Sequence, residues 1–425
     1  MGKFIPCPLP CHSIKHLQDS NQSNQTLHSD SSSSSSNSSL TSQSSLPSVP
    51  SLTPHSQTLE PATATAAAAH HHCLATLRGH TSYIFSLALA GKHLFSGASD
   101  GEIRVWDRNP HNFSSPQNYT VSEGYSAVKS IVVLNDDKLI TAHHDHKIRV
   151  WKIDNSKIPQ KYKLITTLPT VHDRCVKLFS AKNYVEIRRH KKCTWVHHVD
   201  TVSALALSND GVLLYSVSWD RTLKVWRASD FKCVESIQNA HDDAINAVVL
   251  SGDGYVYTGS ADKLIKVWRK NDGEKKHSLV SILEKHKSAI NSLALSGDGS
   301  VLYSGACDRS IIVWEKGGAA HMTVAGALRG HKKAILCLAV VSDLLCSGSA
   351  DKTVRIWRRG CGNSYSCLAV LEGHKSPVKC LTAALDFNNN NNNKDINNDL
   401  GNSYLVYSGS LDFDIKVWQI WVPNF

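Results

Sequence analysis

A chain of 425 residues is long for one ordinary domain, and its formal net charge of +10 lies entirely beyond residue 79, because the first 79 residues sum to zero. No apolar stretch is long enough to cross a membrane, and the amino-terminal residues have no signal-peptide core. The 12 cysteines include no Cys-x-x-Cys pair and no metal-ligand spacing, so we expect a cytoplasmic or nuclear protein with no metal and no other cofactor.

Residues 1–72 are predicted to be a disordered, low-complexity tail. An unbroken serine run, Ser31–Ser36, is followed by mixed Ser, Thr, Gln and Pro, and few large apolar residues are present to offset the entropy of ordering. The simplest interpretation is a solvated tail. The alternative is a Ser-rich tail that is regulated by phosphorylation.

From residue 73 onward one pattern recurs seven times. Each unit has an Asp with a Trp six positions later, and a Ser or Thr stands four residues before the Asp. Six units also have a His further upstream, whereas unit two has Tyr125 in that place and is expected to have a weaker network. The Trp residues recur every 42 to 46 residues between the less interrupted units, which indicates a repeat array.

The six complete sets are predicted to form buried networks in which Trp, Ser or Thr, His and Asp satisfy one another. In chain order they are His80, Ser96, Asp100, Trp106; His198, Ser216, Asp220, Trp226; His241, Thr258, Asp262, Trp268; His286, Ser304, Asp308, Trp314; His331, Ser347, Asp351, Trp357; and His374, Ser408, Asp412, Trp418. Each bond contributes about 1 kcal/mol, and a buried orphan costs about 1–3 kcal/mol. Such recurrence favours a scaffold over a set of hydrolytic triads, and no phosphate loop or nucleophile elbow is present. We therefore expect no catalytic residues.

Alternating apolar runs within each unit predict four short strands, with the Asp in the turn between the third and fourth. The Gly-His pairs, the Ser-Gly-Ser/Ala-x-Asp runs and the terminal Trp resemble those of the WD-repeat β-propeller family. The resemblance implies an all-β, seven-bladed propeller over residues 73–425. The strand at Cys73–Leu77 is expected to supply the outer strand of the last blade and close the ring.

Two insertions interrupt the period, at about residues 169–197 and 386–403. In the first, residues 171–192 hold seven basic and two acidic side chains, net +5, and an alternating run from Tyr184 predicts a β-hairpin with Arg189–Lys192 at its tip. The second contains the Asn-rich run Asn388–Asn393 and is assigned no function.

Two groups of residues are candidates for binding a partner on the face that carries the Asp turns. The first is basic and comprises Arg188, Arg189, Lys191 and Lys192 of the hairpin and Arg221, Lys263, Arg309 and Lys352 after the turn Asp. The second is apolar and comprises Tyr83, Phe85, Trp219 and Leu411. The basic group favours an acidic or phosphorylated protein partner, although exposed charge also serves solvation alone. Tyr83 and Phe85 have a second interpretation, packing against the closing strand.

The insertion around Asn183–Lys192 and the opening residues Met1–His12 are similar to those of plant JINGUBANG-like WD-repeat proteins. This narrower resemblance implies a plant regulatory adaptor that acts in pollen or developmental control through bound transcription regulators. The leading hypothesis is accordingly a non-catalytic protein-interaction scaffold.

Two alternatives remain open. One is a substrate receptor of a cullin-type ubiquitin ligase, although Trp106-Asp107 is followed by Arg108-Asn109 and no unit has the full Trp-Asp-x-Arg motif. The other is RNA or phosphoinositide binding through the hairpin, and nucleic acid is disfavoured because only Tyr184 and Trp195 could stack on bases. The segment Arg188–Lys192 could also serve as a nuclear import signal.

Overall fold

The computed structural model describes residues 49–53, 69–109, 119–122, 124–154, 161–178, 184–188, 191–271, 273–317, 321–360, 364–386 and 401–423. Of the predicted disordered tail, residues 1–72, the structure describes residues 49–53 and 69–72. The prediction was wrong for these parts, because residues 50–52 form backbone hydrogen bonds to the propeller and His70–His72 lie in a strand. Seven four-stranded antiparallel sheets form the blades of a propeller, as the sequence predicts, and one further sheet has two strands. The inner strands of successive blades contact one another around a closed ring.

Each blade runs outward from its inner strand in chain order. Blades one to three are β2 (Ile84–Ala90), β3 (His93–Ala98), β4 (Ile103–Asp107), β5 (Tyr119–Ser122); β6 (Val128–Leu134), β7 (Lys138–His143), β8 (Ile148–Asp154), β9 (Lys161–Leu168); and β12 (Val202–Leu207), β13 (Leu213–Ser218), β14 (Leu223–Arg227), β15 (Cys233–Ile237). Blades four and five are β16 (Ile245–Leu250), β17 (Tyr255–Ser260), β18 (Leu264–Arg269), β19 (Ser278–Glu284); and β20 (Ile290–Leu295), β21 (Val301–Ala306), β22 (Ile311–Lys316), β23 (Met322–Leu328). Blade six is β24 (Ile335–Val341), β25 (Leu344–Ser349), β26 (Val354–Arg359), β27 (Tyr365–Leu371), and blade seven is β28 (Val378–Leu385), β29 (Asn402–Ser410), β30 (Ile415–Val422) and β1 (His70–Leu77).

The second strand of a blade is covered by neighbouring blades on both faces. All six residues of β17, β21 and β25 are buried, which explains why these strands are apolar or small along their whole length. The outer strand β19 is exposed at most positions, because one face of it meets solvent. The core therefore consists of clusters between adjacent blades.

The amino-terminal strand closes the ring, as predicted. In blade seven Leu77 pairs with Ile415 and Cys73 with Trp418, so the last sheet is completed by the first strand. This strand begins at His70, opposite Trp421, three residues before the predicted boundary. Closure leaves no sheet open at the two ends of the array.

The Asp turn lies between the second and third strands of a blade, which are the third and fourth strands of the sequence unit, and it has the same backbone shape in every blade. The residue after the repeat Asp has a left-handed conformation, with φ of 88° at Gly101, 65° at His146, 67° at Arg221, 76° at Lys263, 69° at Arg309, 75° at Lys352 and 71° at Phe413. A side chain here costs about 1–2 kcal/mol relative to the right-handed form. Six of the seven blades nevertheless have a residue with a side chain at this position.

The first insertion contains the predicted hairpin, which forms from β10 (Tyr184–Arg188) and β11 (Lys191–Thr194). The predicted tip was too long, because Lys191 and Lys192 lie within β11, and Arg189 lies outside the described residues. The sequence reasoning also missed the helix α1 (Val171–Leu178). The sequence does contain an N-cap residue, Thr170, directly before this helix. Its hydroxyl accepts the amide of Asp173 at 3.1 Å.

The second insertion joins β28 to β29, and residues 387–400 fall outside the described part. Its base is held by Asp386, which is buried. The Asp386 carboxylate accepts hydrogen bonds from Ser403 Oγ at 3.1 Å and from Gln419 Nε2 at 2.7 Å. No helix among the described residues is long and apolar enough to cross a membrane.

Candidate protein-interaction face

The repeated polar residues form one hydrogen-bond chain per blade. In blade five Trp314 Nε1 donates to Ser304 Oγ at 2.8 Å, and His286 Nε2 lies 2.7 Å from the same oxygen. His286 Nδ1 lies 2.9 Å from Asp308 Oδ2. Every group is satisfied if the neutral His donates from Nδ1 to the carboxylate and accepts the Ser proton at Nε2. The histidine is therefore held in one tautomer between the strand and the turn.

The same arrangement appears in blades three, four, six and seven. The His–carboxylate distances are 3.2 Å for His198–Asp220, 2.8 Å for His241–Asp262, 2.9 Å for His331–Asp351 and 3.0 Å for His374–Asp412. The Trp–hydroxyl distances are 2.8 Å for Trp226–Ser216, 2.9 Å for Trp268–Thr258, 2.8 Å for Trp357–Ser347 and 2.8 Å for Trp418–Ser408. These histidines and hydroxyls are buried, so the clusters hold the blades together and present no nucleophile to a substrate.

Blade one uses a different carboxylate from the one the repeat predicts. His80 Nδ1 lies 2.9 Å from Glu102 Oε2, and Arg104 donates to the other oxygen of Glu102 at 2.7 Å. Asp100 is exposed and instead accepts the Glu102 amide at 3.0 Å and the Thr81 hydroxyl at 3.4 Å. The assignment of Asp100 as partner of His80 was therefore wrong. The rest of the chain is unchanged, with Trp106 Nε1 2.8 Å from Ser96 Oγ.

Blade two has a histidine from another position. Tyr125 packs edge-on against Trp151, and His143 Nε2 lies 2.8 Å from the Thr141 hydroxyl, while its Nδ1 lies 2.8 Å from the carbonyl of Ser126. The repeat Asp of this blade, Asp145, pairs with both terminal nitrogens of Arg149, at 3.1 and 2.5 Å. The network is thus rebuilt, and the sequence reasoning missed His143, which shares a strand face with Thr141 two residues earlier.

Burial and pairing set the charge states of these chains. Burial lowers the pKa of His198, and it lowers the pKa of His143 to about 4, so both rings are neutral at pH 7. Burial alone would raise the pKa of Asp412, but the hydrogen bond and charge of His374 outweigh it and lower that pKa to about 2. The carboxylates therefore remain ionised down to strongly acidic pH.

The repeat Asp also fixes the loop that follows the histidine. In blades three to seven its Oδ2 accepts the backbone N–H of the residue after the His, at 2.7 to 3.1 Å. The side chain of that residue therefore lies on the face that carries the Asp turns, which we call the turn face. On blades five and six these residues are Lys287 and Lys332, beside the exposed turn residues Arg309 and Lys352.

We call the exposed basic side chains of the turn face the basic arc. Its members are Arg221, Lys263, Lys287, Arg309, Lys332, Lys333, Lys352 and Lys375. Asp242 and Asp243, both exposed, interrupt the arc on blade four, and the arc is densest on blades five and six. Within the residues that the structure describes, none of these basic side chains forms a salt bridge. Their charge therefore faces solvent.

An aromatic cluster, defined by Tyr83, Phe85, Trp219 and Phe413, lies on blades one, three and seven. The ring centroid of Tyr83 is 6.5 Å from that of Phe85 and 5.5 Å from that of Phe413. Lys129 Nζ stands 4.0 Å from the centroid of Phe85 and 5.5 Å from that of Trp219, which links blades one, two and three. Tyr83 and Phe413 are 37% and 39% exposed, so this packing leaves apolar surface open.

The sequence reasoning missed Phe413 and Lys129. Phe413 occupies the left-handed turn position that is basic in blades three to six, and this exchange was visible in the repeat. The predicted Leu411 is half-buried on the same turn, and its amide donates to the carbonyl of Pro377. The contacts of Tyr83 favour the surface interpretation over packing against the closing strand.

Side-chain size at one equivalent position differs between the blades of the turn face. The residue before the repeat Asp donates its amide to the neighbouring loop in every blade, and in chain order these residues are Ser99, His144, Trp219, Ala261, Cys307, Ala350 and Leu411. Blades four to six therefore have small residues here, beside the basic arc. Blades two, three and seven have large ones, beside the aromatic cluster.

The basic hairpin is anchored along the outer edge of blade three. The Asp173 carboxylate of α1 accepts the amide of Cys233 at 3.0 Å, at the end of β15 that lies away from the turn face. The buried Lys224 donates from Nζ to the carbonyl of Trp195 at 2.5 Å and to Ser236 Oγ at 2.6 Å. These contacts fix both ends of the insertion. They attach it along the outer edge of blade three, with Cys233 at the end away from the turn face and Lys224 at the end next to it.

Among the described residues, no group of three or more His, Cys, Asp or Glu side chains is arranged to hold a metal ion.

The family model described as "WD domain, G-beta repeat" matches residues 71–107, 190–227, 231–269, 277–315, 322–358 and 365–419. The matched segments leave out the unit that ends at Trp151, where Tyr125 replaces the histidine.

The curated relatives are similar at low identity. Mitochondrial division protein 1 of Schizosaccharomyces pombe is 23% identical over 211 residues, which cover 45% of this chain and 30% of the relative. Striatin-3 of Homo sapiens is 25% identical over 224 residues, 45% of this chain and 27% of the relative. Apoptotic protease-activating factor 1 of Rattus norvegicus is 27% identical over 188 residues, 44% and 12% respectively. The matched part thus spans a third of these relatives or less.

Proposed function

This chain belongs to the WD-repeat family, and we propose that it is a non-catalytic scaffold that binds another protein through its turn face. Propellers of this family generally bind proteins, because rigid blades hold loops in fixed positions. The observation that carries the proposal is the exposed aromatic cluster on the same face as the basic arc. Aromatic side chains dominate interface energetics, and complementary charge directs a partner to its orientation.

The partner that this face fits is acidic or phosphorylated and carries an apolar anchor. Eight basic side chains lie on blades three to seven of the face, and their charge is not neutralised by salt bridges among the described residues. The small residues on blades four to six leave room beside that charge. A segment that crosses the ring would place its anions over the arc and its apolar residues on Tyr83, Trp219 and Phe413.

For the physiological role we propose a plant regulatory adaptor, acting in the cytoplasm, the nucleus or both, in pollen or developmental control. Its proposed partners are transcription regulators. Support comes from the similarity of the insertion at Asn183–Lys192 to that of plant JINGUBANG-like proteins. In this proposal the basic residues of the hairpin, Arg188, Arg189, Lys191 and Lys192, add a second contact with the partner.

The aromatic cluster is tested with a variant that carries Tyr83→Ser, Trp219→Ser and Phe413→Gly. Glycine relieves the left-handed backbone at position 413. The matched control replaces three exposed apolar residues off the turn face, Val212, Val234 and Ile282, by Ser. Affinity capture from the native tissue should show about tenfold or greater loss of bound partner for the cluster variant, since a hot-spot residue contributes about 2 kcal/mol or more. Equal capture by both variants would contradict the proposal.

The hairpin is tested separately, by replacing Arg188, Arg189, Lys191 and Lys192 with Ser and treating a parallel sample with RNase. We expect the captured set to include transcription regulators, to be reduced by the change and to be insensitive to RNase. Loss of capture on RNase treatment would instead favour RNA binding. An unfolded variant would mean that the hairpin is structural.

A further inference from the structure

A short segment that precedes the propeller docks against its side, at the outer strands of blades five and six. The amide of Leu52 donates to the carbonyl of Ala327 at 2.9 Å, and the amide of Ala327 donates to the carbonyl of Pro50 at 2.9 Å. Ser51 forms a parallel bridge with Ala327, so the segment extends the outer edge of blade five. The carbonyl of Leu52 accepts the amide of Tyr365, the first residue of the outer strand of blade six, at 3.1 Å. Four residues thus join two blades.

The side chain of Leu52 anchors the segment. It packs against the core cluster between blades five and six, which includes Leu328, Trp357 and Tyr365. Space for it depends on Gly326, because a Cβ at that position would lie 2.5 Å from Leu52 Cγ. The backbone of Gly326 does not have a positive φ, so glycine is required here for space and not for conformation.

Comparison of the seven blades shows that this space is particular to blade five. In blade five Gly326 of the outer strand pairs with Val313 of the third strand. The outer-strand residues at the equivalent position in blades one to four, six and seven are Tyr119, Thr166, Glu235, Ser281, Ala369 and Ala75. Only blade five has glycine there. The outer edge of blade five is therefore shaped for an inserted side chain.

We propose that the cleft between the outer strands of blades five and six is a peptide-binding site for an extended Pro-Ser-Leu-Thr segment, and that residues 50–53 of the same chain occupy it reversibly. Recognition has two parts. Backbone hydrogen bonds to Ala327 and Tyr365 select an extended segment of any sequence. The recess over Gly326 selects one apolar side chain. The site lies on the outer edge of the propeller, and this proposal does not rest on the function proposed for the turn face.

Reversible occupancy follows from the small size of the contact. The residues involved make three backbone hydrogen bonds and partly bury one large apolar side chain. A ligand in the same chain acts at an effective concentration of about 1 mM. If the segment binds in trans with Kd of about 100 μM, a competing peptide would bind the occupied site only about tenfold more weakly than an empty site. A partner with the same pattern could then compete.

The test uses the full chain and a fluorescein-labelled peptide of residues 47–56. Leu52→Asp should expel the resident segment and open the cleft, so this variant should bind the peptide about tenfold more tightly than wild type. Adding Gly326→Ala to that variant should abolish binding, because the new Cβ fills the recess. A peptide with Asp in place of Leu52 is the matched control and should not bind.

A second measurement does not depend on the added peptide. Hydrogen exchange of the amides of Ala327 and Tyr365 should be slow in wild type and fast in the Leu52→Asp variant, whereas the amides of the other outer strands should not change. Absence of peptide binding by a folded Leu52→Asp variant, or binding that persists after Gly326→Ala, would overturn the proposal. Unchanged exchange at Ala327 and Tyr365 would do the same.

Discussion

The same substitution at two equivalent repeat positions should have different effects. Asp308 and Asp100 both follow the repeat pattern, but only Asp308 holds a histidine. Its Oδ2 lies 2.9 Å from His286 Nδ1 and 3.0 Å from the amide of Lys287, and its Oδ1 accepts the amide and hydroxyl of Ser310 at 3.1 and 2.6 Å. In Asp308→Asn one of these oxygens becomes a donor. Two donors then lose their acceptor, and we expect a loss of about 2–4 kcal/mol in unfolding free energy.

Asp100→Asn should cost about 0.5 kcal/mol or less, because Asp100 is exposed and the remaining oxygen can still accept the amide of Glu102. The carboxylate that matters in blade one is Glu102, which accepts from His80 and Arg104. Glu102→Gln should therefore cost about as much as Asp308→Asn, about 2–4 kcal/mol.

Equilibrium unfolding of the full chain in urea, followed by tryptophan fluorescence, measures all three variants under one condition. Glu102→Gln and Asp308→Asn should lower the unfolding free energy by similar amounts, and Asp100→Asn should lower it much less. Equal destabilisation by Asp100→Asn and Asp308→Asn would refute the assignment of Glu102. It would show that the repeat position, and not the observed contact, sets the energy.

Three other results are expected. Arg309→Gly and Lys352→Gly should leave unfolding free energy within about 1 kcal/mol of wild type in urea, since relief of the left-handed turn offsets the entropy of glycine; a larger loss would mean that these side chains are structural. His143 should contribute a loss of about 3 kcal/mol in unfolding free energy as pH drops from about 6.5 to 4, because burial lowers its folded pKa to about 4, below its unfolded value, and the folded state binds fewer protons. Burial also lowers the pKa of His197 to about 4, so that residue adds to the total slope. In His143→Gln that pH slope should shrink, and an unchanged slope would exclude His143 as its source. Lys224→Met should remove the bond to the carbonyl of Trp195, so limited proteolysis should cut the insertion at residues 169–197 faster than in wild type, and an equal rate would show that this bond does not hold it.

The repeat made the fold predictable because seven copies of one spacing determine strand order, turn position and ring closure together. Ring closure by the first strand followed from the incomplete last unit. The details that sequence reasoning missed are local substitutions within the pattern. Glu102 stands two residues after the repeat Asp, where Thr222, Ser310 and Thr353 have hydroxyls, and in blade one this acid replaces the repeat Asp as the carboxylate that contacts the histidine.

The candidate site was less predictable, because it depends on which blades are neighbours and on what covers them. Phe85 and Trp219 are far apart in sequence, and their common contact with Lys129 of blade two appears only when the ring is closed. The basic hairpin shows the opposite case. Its pairing followed from alternation, but its attachment to blade three through Asp173 and Lys224 depends on tertiary contacts that composition does not encode.

The central claim, that the turn face is the docking face, is tested most directly by removing charge without disturbing the fold. One variant replaces Arg221, Lys263, Arg309 and Lys352 by Gly, and its control replaces four exposed basic residues at the opposite ends of the blades, Lys152, Arg227, Lys232 and Lys270, by Ser. Both lose four positive charges. Quantitative affinity capture from native tissue should show partners lost from the glycine variant and retained by the control. Retention by the glycine variant, or equal loss from both, would contradict the account.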